Sequence, residues 1–265
     1  MKILFIGDIV GKPGREIVKK ILPTIVKEKK IDFVIANPEN AAHGRGVTPD
    51  ILKELQGVGV DVFSGGDHSF DDKHSLEEVY GGDFPIVRPA NYSQNVPGLG
   101  HILLKKGKYK VLHISLIGRV FMKLDYDCPF RELDKILANF ARQKISAIIL
   151  DIHAEATSEK VAMFRYANSR VSAVLGTHTH VMTADEQVSE EGTAYITDVG
   201  MAGFDEGCIG IDKEGVIETF LTQMRSSHGI PDTGKSIFNA VVVDIDPKTK
   251  KARKISSIRK HYTVK

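Results

Sequence analysis

The sequence predicts an α/β protein built on a mixed or doubled sheet. Short apolar runs alternate with amphipathic stretches at helical spacing. Two pairs of β runs are joined by short polar turns, which adds antiparallel hairpins to the strand–helix alternation. No Pro/Gly/Ser-rich linker and no shift in composition divides the 265 residues, so one domain spanning 1–265 is expected.

Lys2 to Ile6 is a buried-strand pattern cut off by Gly7-Asp8. Pro13 suits the first turn of a helix, and Ile17, Val18, Ile21, Leu22 and Ile25 then recur on one face. Ile31 to Ala36 reads as a second strand. Thr48 is placed as an N-cap, with Pro49 opening a helix that runs through Leu55 and ends near Gly57. Val60 to Ser64 is a third strand, followed by a polar helical stretch from Asp71 to Val79. His101–Leu104 and Lys110–Ile117 form a hairpin across a Lys-Lys-Gly-Lys turn. A helix over Phe130–Gln143 precedes a strand at Ser146–Leu150, and a helix over Glu159–Ala167 precedes a strand at Val171–Leu175. The remainder is predicted to be mostly β. Within it, Ala240–Ile245 and Ala252–Ile258 pair across the turn at 246–250.

Composition excludes several roles. Lys+Arg number 36 against 34 Asp+Glu, a formal charge of +2, which is too small a field to hold nucleic acid or a membrane surface. Every apolar run is too short to span a bilayer, and Ile3-Leu4-Phe5-Ile6 is too short for a signal peptide. Cys128 and Cys208 are far apart and outside any CxxC spacing, so neither a disulfide framework nor a thiolate zinc site is expected. A reducing, cytoplasmic setting fits.

The informative pattern is where metal-competent residues fall. Asp8 follows the first strand, Glu39-Asn40 the second and Asp67-His68 the third. His153 follows the Ser146–Leu150 strand, and His178 and His180 follow Val171–Leu175. Ligands of open α/β sheets bind at the carboxyl ends of strands, so all of these groups are delivered to one rim. In an extended His178-Thr179-His180 segment the two imidazoles project to the same side. Imidazole with carboxylate, and no thiolate, suits zinc, iron or manganese. Asp8, Glu39, Asn40, Asp67, His153, His178 and His180 are too many ligands for one catalytic ion and suit two ions that share a carboxylate. By contrast His43, His74, His101, His113, His228 and His261 are expected to be packed or solvated, and Gly44-Arg45-Gly46 to be a surface loop. Asp151 reads equally well as a strand-end turn or as a partner orienting a histidine. Gly7 to Lys12 lacks the spacing and the Ser/Thr of a phosphate-binding loop.

Gly7-Asp8, Pro38-Glu39-Asn40, Gly66-Asp67-His68, His153 and Gly176-Thr177-His178-Thr179-His180 resemble, in order, the blocks of the calcineurin-like metallophosphoesterases. The chain is most similar to the YmdB-like bacterial subgroup. Val10 in place of a histidine two residues after Asp8, and Glu39-Asn40 in place of Gly-Asp, are departures characteristic of that subgroup. Asp67 stands where the family has asparagine and adds one negative charge. The resemblance implies a four-layer α/β/β/α sandwich with two mixed sheets and hydrolysis of small phosphodiesters, 2′,3′-cyclic nucleotides in particular. It implies that Asp8, Glu39, Asn40 and His180 hold a first metal, that Glu39 bridges to a second held by Asp67, His153 and His178, and that His68 is the general acid. Iron and manganese are the expected metals, and zinc also fits. Two ions about 3.5–4 Å apart would share a bridging hydroxide for in-line attack. A homo-oligomer is a family-level expectation. Two other functional classes remain open. One is a metal hydrolase of the amidohydrolase type, although its barrel would put a His-x-His pair near the N-terminus. The other is a regulatory or binding protein with a structural dimetal site. Metal-dependent turnover of a generic phosphodiester separates them.

Overall fold

Alternate residues of the first strand, β1 (Lys2–Val10), face two different cores, and the layering of the chain follows from that split. The computed structural model describes residues 1–265. Ile3 and Phe5 pack with Phe33, Ile35 and Val241, and with Val111, Ile149 and Leu175 from across the molecule. Leu4 and Ile6 point the other way, onto Ile17, Leu22, Leu52 and Leu55. Those four belong to the helices α1 (Gly11–Lys29) and α2 (Pro49–Gly57), which cover one face. A third cluster joins Leu112, Ile114 and Leu150 to Leu133, Ile136, Met163 and Phe164. The last four belong to α4 (Pro129–Phe140) and α5 (Thr157–Ala167), and they cover the opposite face. The stacking is helix, sheet, sheet, helix: a four-layer α/β/β/α sandwich.

Both sheets are mixed. In the first, β1 pairs in parallel with β2 (Phe33–Asn40) and β10 (Met201–Phe204), and β2 pairs in parallel with β3 (Val62–Phe63). The antiparallel pair β11 (Gly234–Ile245) and β12 (Ala252–Val264) closes its other side. In the second, β5 (Tyr109–Ile117), β6 (Ala147–His153), β7 (Ala173–Thr177) and β9 (Ala194–Ile196) are parallel. Antiparallel β4 (His101–Lys106) and β8 (Gln187–Val188) form its edges.

Several local signals act as the chemistry predicts. Thr48 Oγ1 accepts from the Ile51 amide at 3.4 Å with Pro49 at the helix start. β4 and β5 turn over at Gly107, whose φ of 60° is left-handed, between the paired Lys106 and Tyr109. Other expectations are corrected. The helix expected over 71–79 is α3 (Leu76–Tyr80) only. Upstream, Asp71 binds the His68 ring and Asp72 Oδ1 accepts from the His74 amide, so side chains compete with the helical ladder there. The C-terminal part is not simply β: α6 (Lys213–Thr222) interrupts it and buries none of its residues. Strands β1, β2, β6 and β7 run further than their apolar cores, so Asp8, Glu39, Asn40 and His153 stand in the last residues of strands. No helix is long and apolar enough to cross a membrane.

Candidate metal centre

The parallel strands of both sheets end at one rim. β1 delivers Asp8, and the register of its pairing with β2 shifts on either side of that residue, as at an irregular strand end. β2 delivers Glu39 and Asn40. The turn after β3 delivers Asp67 and His68, β6 delivers His153, and the segment after β7 delivers His178 and His180. Asp8, Glu39 and His153 are essentially inaccessible to solvent.

His153 is the hub. Its Nε2 lies 3.0 Å from Asp67 Oδ1, 2.9 Å from Glu39 Oε1 and 3.0 Å from His178 Nδ1. On the other side of the ring, Nδ1 is 3.0 Å from Thr177 Oγ1, and that hydroxyl donates to Asp151 Oδ1 at 2.7 Å. With its proton committed to Asp151, the hydroxyl can only accept, so His153 Nδ1 donates and Nε2 is the atom turned to the cluster, where it can hold a proton against the carboxylates or give a lone pair to a cation. Ser64 Oγ donates to the other oxygen of Asp151, Oδ2, at 2.6 Å. Ligand atoms of Asp67, His153 and His178 lie within 4.8 Å of one another, and so do those of Asp8, Glu39 and His153.

The charges here are out of balance without a cation. Asp8 Oδ1 is buried and accepts no hydrogen bond, and Glu39 Oε1, equally buried, has only the His153 ring beside it, although groups so buried are normally well paired. Burial alone would raise the Asp67 carboxyl, yet hydrogen bonds from His153 and His178 hold it far below the usual carboxylate range. Burial alone would lower His153, yet the Glu39 charge and the bonds to Asp67 and Glu39 pull it well up. Burial dominates at Asp151, which is pushed up to about 7. Gly66 leaves the space open, since a Cβ there would collide with His153 and Glu39. Hard oxygens and imidazole nitrogens facing a space that only glycine permits are a donor set that fits divalent metal ions.

The other predicted residues are placed as follows. His68 Nδ1 is 2.8 Å from Asp71 Oδ2, and the His68 amide donates to Glu39 Oε2 at 3.2 Å. Asn40, His68, His178 and His180 line one cavity. His180 belongs to neither close group, and its Nδ1 donates to the Ile209 carbonyl at 2.9 Å. The His178-Thr179-His180 segment is not extended: φ is 98° at His178 and 66° at His180. Same-side projection from a strand is therefore not what aims these rings. The backbone is held instead by Asp198, whose Oδ2 accepts from the Thr179 amide and hydroxyl and from buried Lys160 Nζ. The His178 amide donates to Asp8 Oδ2 at 3.0 Å.

Sequence reasoning missed Asp71, Thr177, Asp198 and Lys160. His43 and His228, expected to be packed or solvated, and Arg45, expected in a surface loop, all line the cavity. Proximity of Asp71 to His68 and of Thr177 to His178 was a usable signal, but the Lys160–Asp198 pair had none.

A family model described as YmdB-like protein matches residues 4–258. A curated relative from Bacillus subtilis (strain 168), named 2′,3′-cyclic-nucleotide 2′-phosphodiesterase, is 44% identical over 259 residues, covering 97% of this chain and 96% of its own length. The crystal structure of a Mycoplasma pneumoniae protein described as a novel phosphatase is 32% identical with a TM-score of 0.92, covering 100% of this chain and 94% of that one. A 5′-nucleotidase precursor from Thermus thermophilus shares the fold alone, with a TM-score of 0.58 and 12% identity over 99% of this chain and 54% of its own.

Proposed function

The chain belongs to the YmdB-like protein family, and from that premise we propose that it hydrolyses 2′,3′-cyclic nucleotides with the help of two divalent metal ions. At the coarser level it is a phosphoric diester hydrolase of the metallophosphoesterase fold. One observation supports the metal reading above all others. Asp8 Oδ1 is buried with no donor and Glu39 Oε1 with only the His153 ring beside it, and the Nε2 of that ring also faces Asp67 and His178. Cations in that space would answer all of these groups together. In the division we favour, Asp8, Glu39, Asn40 and His180 hold one ion and Asp67, His153 and His178 the other, with Glu39 reaching both. His180 keeps only Nε2 free for this, since Nδ1 is engaged by Ile209. The donor chemistry suits iron or manganese, and zinc also.

Bound ions of this kind supply Lewis acidity toward phosphoryl oxygens and make a nearby water acidic enough to attack at neutral pH. The chain's own residues do the rest. His68 donates Nδ1–H to Asp71, which leaves Nε2 for the cavity. The proton on Nε2 passes to the ribose O2′ as the P–O2′ bond breaks, leaving a 3′-monophosphate. Asp71 is a positioning residue for that transfer. Thr177 and Asp151 hold His153 in the tautomer that presents Nε2. Because both sheets contribute, we treat residues 1–265 as one functional domain.

Elemental analysis of the isolated protein, paired with ³¹P NMR of a 2′,3′-cyclic nucleotide digest, tests this reading. Two metal ions per chain and a 3′-monophosphate product are expected, with hydrolysis lost on chelation and restored by Mn²⁺ or Fe²⁺. Undiminished hydrolysis by the stripped protein would refute the metal assignment, and no hydrolysis by the loaded protein would refute the activity.

A further inference from the structure

Beside His180 the chain keeps an isoleucine in a backbone conformation that favours glycine. Ile209 has φ 49°, left-handed and costly for a β-branched residue. Its side chain is nevertheless half exposed. Cys208 and Ile211 exchange backbone hydrogen bonds of 2.8 and 3.0 Å around it, and its carbonyl holds His180 Nδ1. Strain and exposed apolar surface both cost stability, so the arrangement needs another reason. Ile209 lines a cavity of about 400 Å³ whose floor includes Asn40, His68, His178 and His180.

Ile211 and Ile230 extend the same apolar wall. Ile230 is wedged where a Cβ at Gly11 or Gly44 would strike it. The turn after β2 meets that wall at Ile230 and adds His43, Gly44 and Arg45 to the lining. It is closed by hydrogen bonds from the Gly44 amide to Asn40 O (3.1 Å), the Arg45 amide to Ala42 O (3.0 Å) and the Ala42 amide to Gly46 O (3.0 Å). That ordered turn brings Arg45, which has no ion-pair partner in the chain, into the lining of the same cavity, which His228 also joins.

We propose that this cavity is a nucleobase subsite. The base lies with its face on Ile209, Ile211 and Ile230 and its polar edge toward Arg45 and His228, while the phosphodiester reaches the histidines of the floor. A base is flat and apolar on its faces and rich in acceptors at its edge, and the lining of this one cavity combines an apolar wall with unpaired donors. A dialkyl phosphate without a base would leave the isoleucine wall in water. The inference rests on the phosphodiesterase reading and adds which part of the substrate the protein recognises.

Kinetics on the metal-loaded protein, comparing 2′,3′-cyclic GMP with base-free ribose 2′,3′-cyclic phosphate, test it. The wild type is expected to prefer the nucleotide by about tenfold or more in kcat/KM. Ile211→Asp and Arg45→Ala should each shrink that ratio by about threefold or more, through KM rather than kcat. Arg45 is exposed and outside any helix or strand, so Arg45→Ala keeps the test available if Ile211→Asp does not fold. Saturation-transfer NMR with guanosine 3′-monophosphate reads the same contact without turnover. Base protons should be the most strongly saturated in the wild type and lose that lead in Ile211→Asp. Equal kcat/KM for both esters, or variants that keep the preference, overturns the subsite and leaves the phosphodiesterase reading standing. If the loaded wild type hydrolyses neither ester, that reading falls, and the saturation pattern alone decides the subsite.

Discussion

Lys160 and Asp198 form an ion pair of 2.7 Å with both side chains about 1% exposed, and this pair anchors the segment that carries His178 and His180. Asp198→Asn keeps the shape and removes the charge. The Lys160 ammonium has no other hydrogen-bond partner in the chain, so the substitution strands a buried cation, which costs about 3–5 kcal/mol. At 2–4 °C per kcal/mol for a chain near this size, the expected fall in Tm is roughly 10 °C. Lys160→Met should cost less, about 1–3 kcal/mol. Asp198 would retain the Thr179 amide, the Thr179 hydroxyl and the Gly200 amide at 2.7–3.0 Å. The decisive assay is a double-mutant cycle by urea unfolding, with Asp198→Asn made in the wild-type and the Lys160→Met backgrounds. If stranded charge is the main term, Asp198→Asn should cost at least about 2 kcal/mol less once Lys160 is gone. Additivity of the two substitutions within about 0.5 kcal/mol would refute the argument. Metal content of Asp198→Asn should fall as well, because a carboxamide has one acceptor oxygen and cannot serve both the Thr179 groups and the Gly200 amide that fix this segment.

His68→Ala should lower kcat on a 2′,3′-cyclic nucleotide by about 10²–10⁴-fold and act only weakly on a p-nitrophenyl ester, whose leaving group needs no proton. Asp71→Asn should show a smaller loss with the same substrate dependence, and equal losses on both substrates would remove His68 from the role of acid. Burial pushes His113, which packs near Phe5 in the protein interior, down to about 3. Below its ordinary value of about 6.5 the unfolded chain therefore takes up a proton that the folded chain refuses, and stability is lost as pH falls from 6.5 toward 3. At pH 5 this term is about 2 kcal/mol. His113→Leu should narrow the stability difference between pH 7 and pH 5 by that amount, measured by urea unfolding at both pH values, and an unchanged difference would count against it.

Much of the candidate centre is legible before folding because strand ends are. Apolar runs of period two or four to eight residues mark the strands, and a carboxylate, amide or imidazole just beyond each run is placed at the rim by backbone geometry alone. Asp8, Glu39, Asp67, His153 and His178 meet on that account. Thr48-Pro49 and the two hairpins are legible for a similar reason, since caps and turns are set by residues within a few positions of one another. The helix expected at 71–79 and the extended His-Thr-His segment fail where a side chain from elsewhere, or close by, overrides the backbone pattern.

The sequence by itself therefore determined most of the elements as far as β7, and which chemistry each parallel strand carries to its end, because periodicity and capping are local. Tertiary structure alone decided that both sheets empty onto one His153 Nε2, that Asp198 twists the histidine segment out of a strand, and that Arg45 and Ile209 face one cavity. Those outcomes depend on contacts between residues tens to hundreds of positions apart, whose burial supplies the energy that holds left-handed backbone and unpaired carboxylates in place.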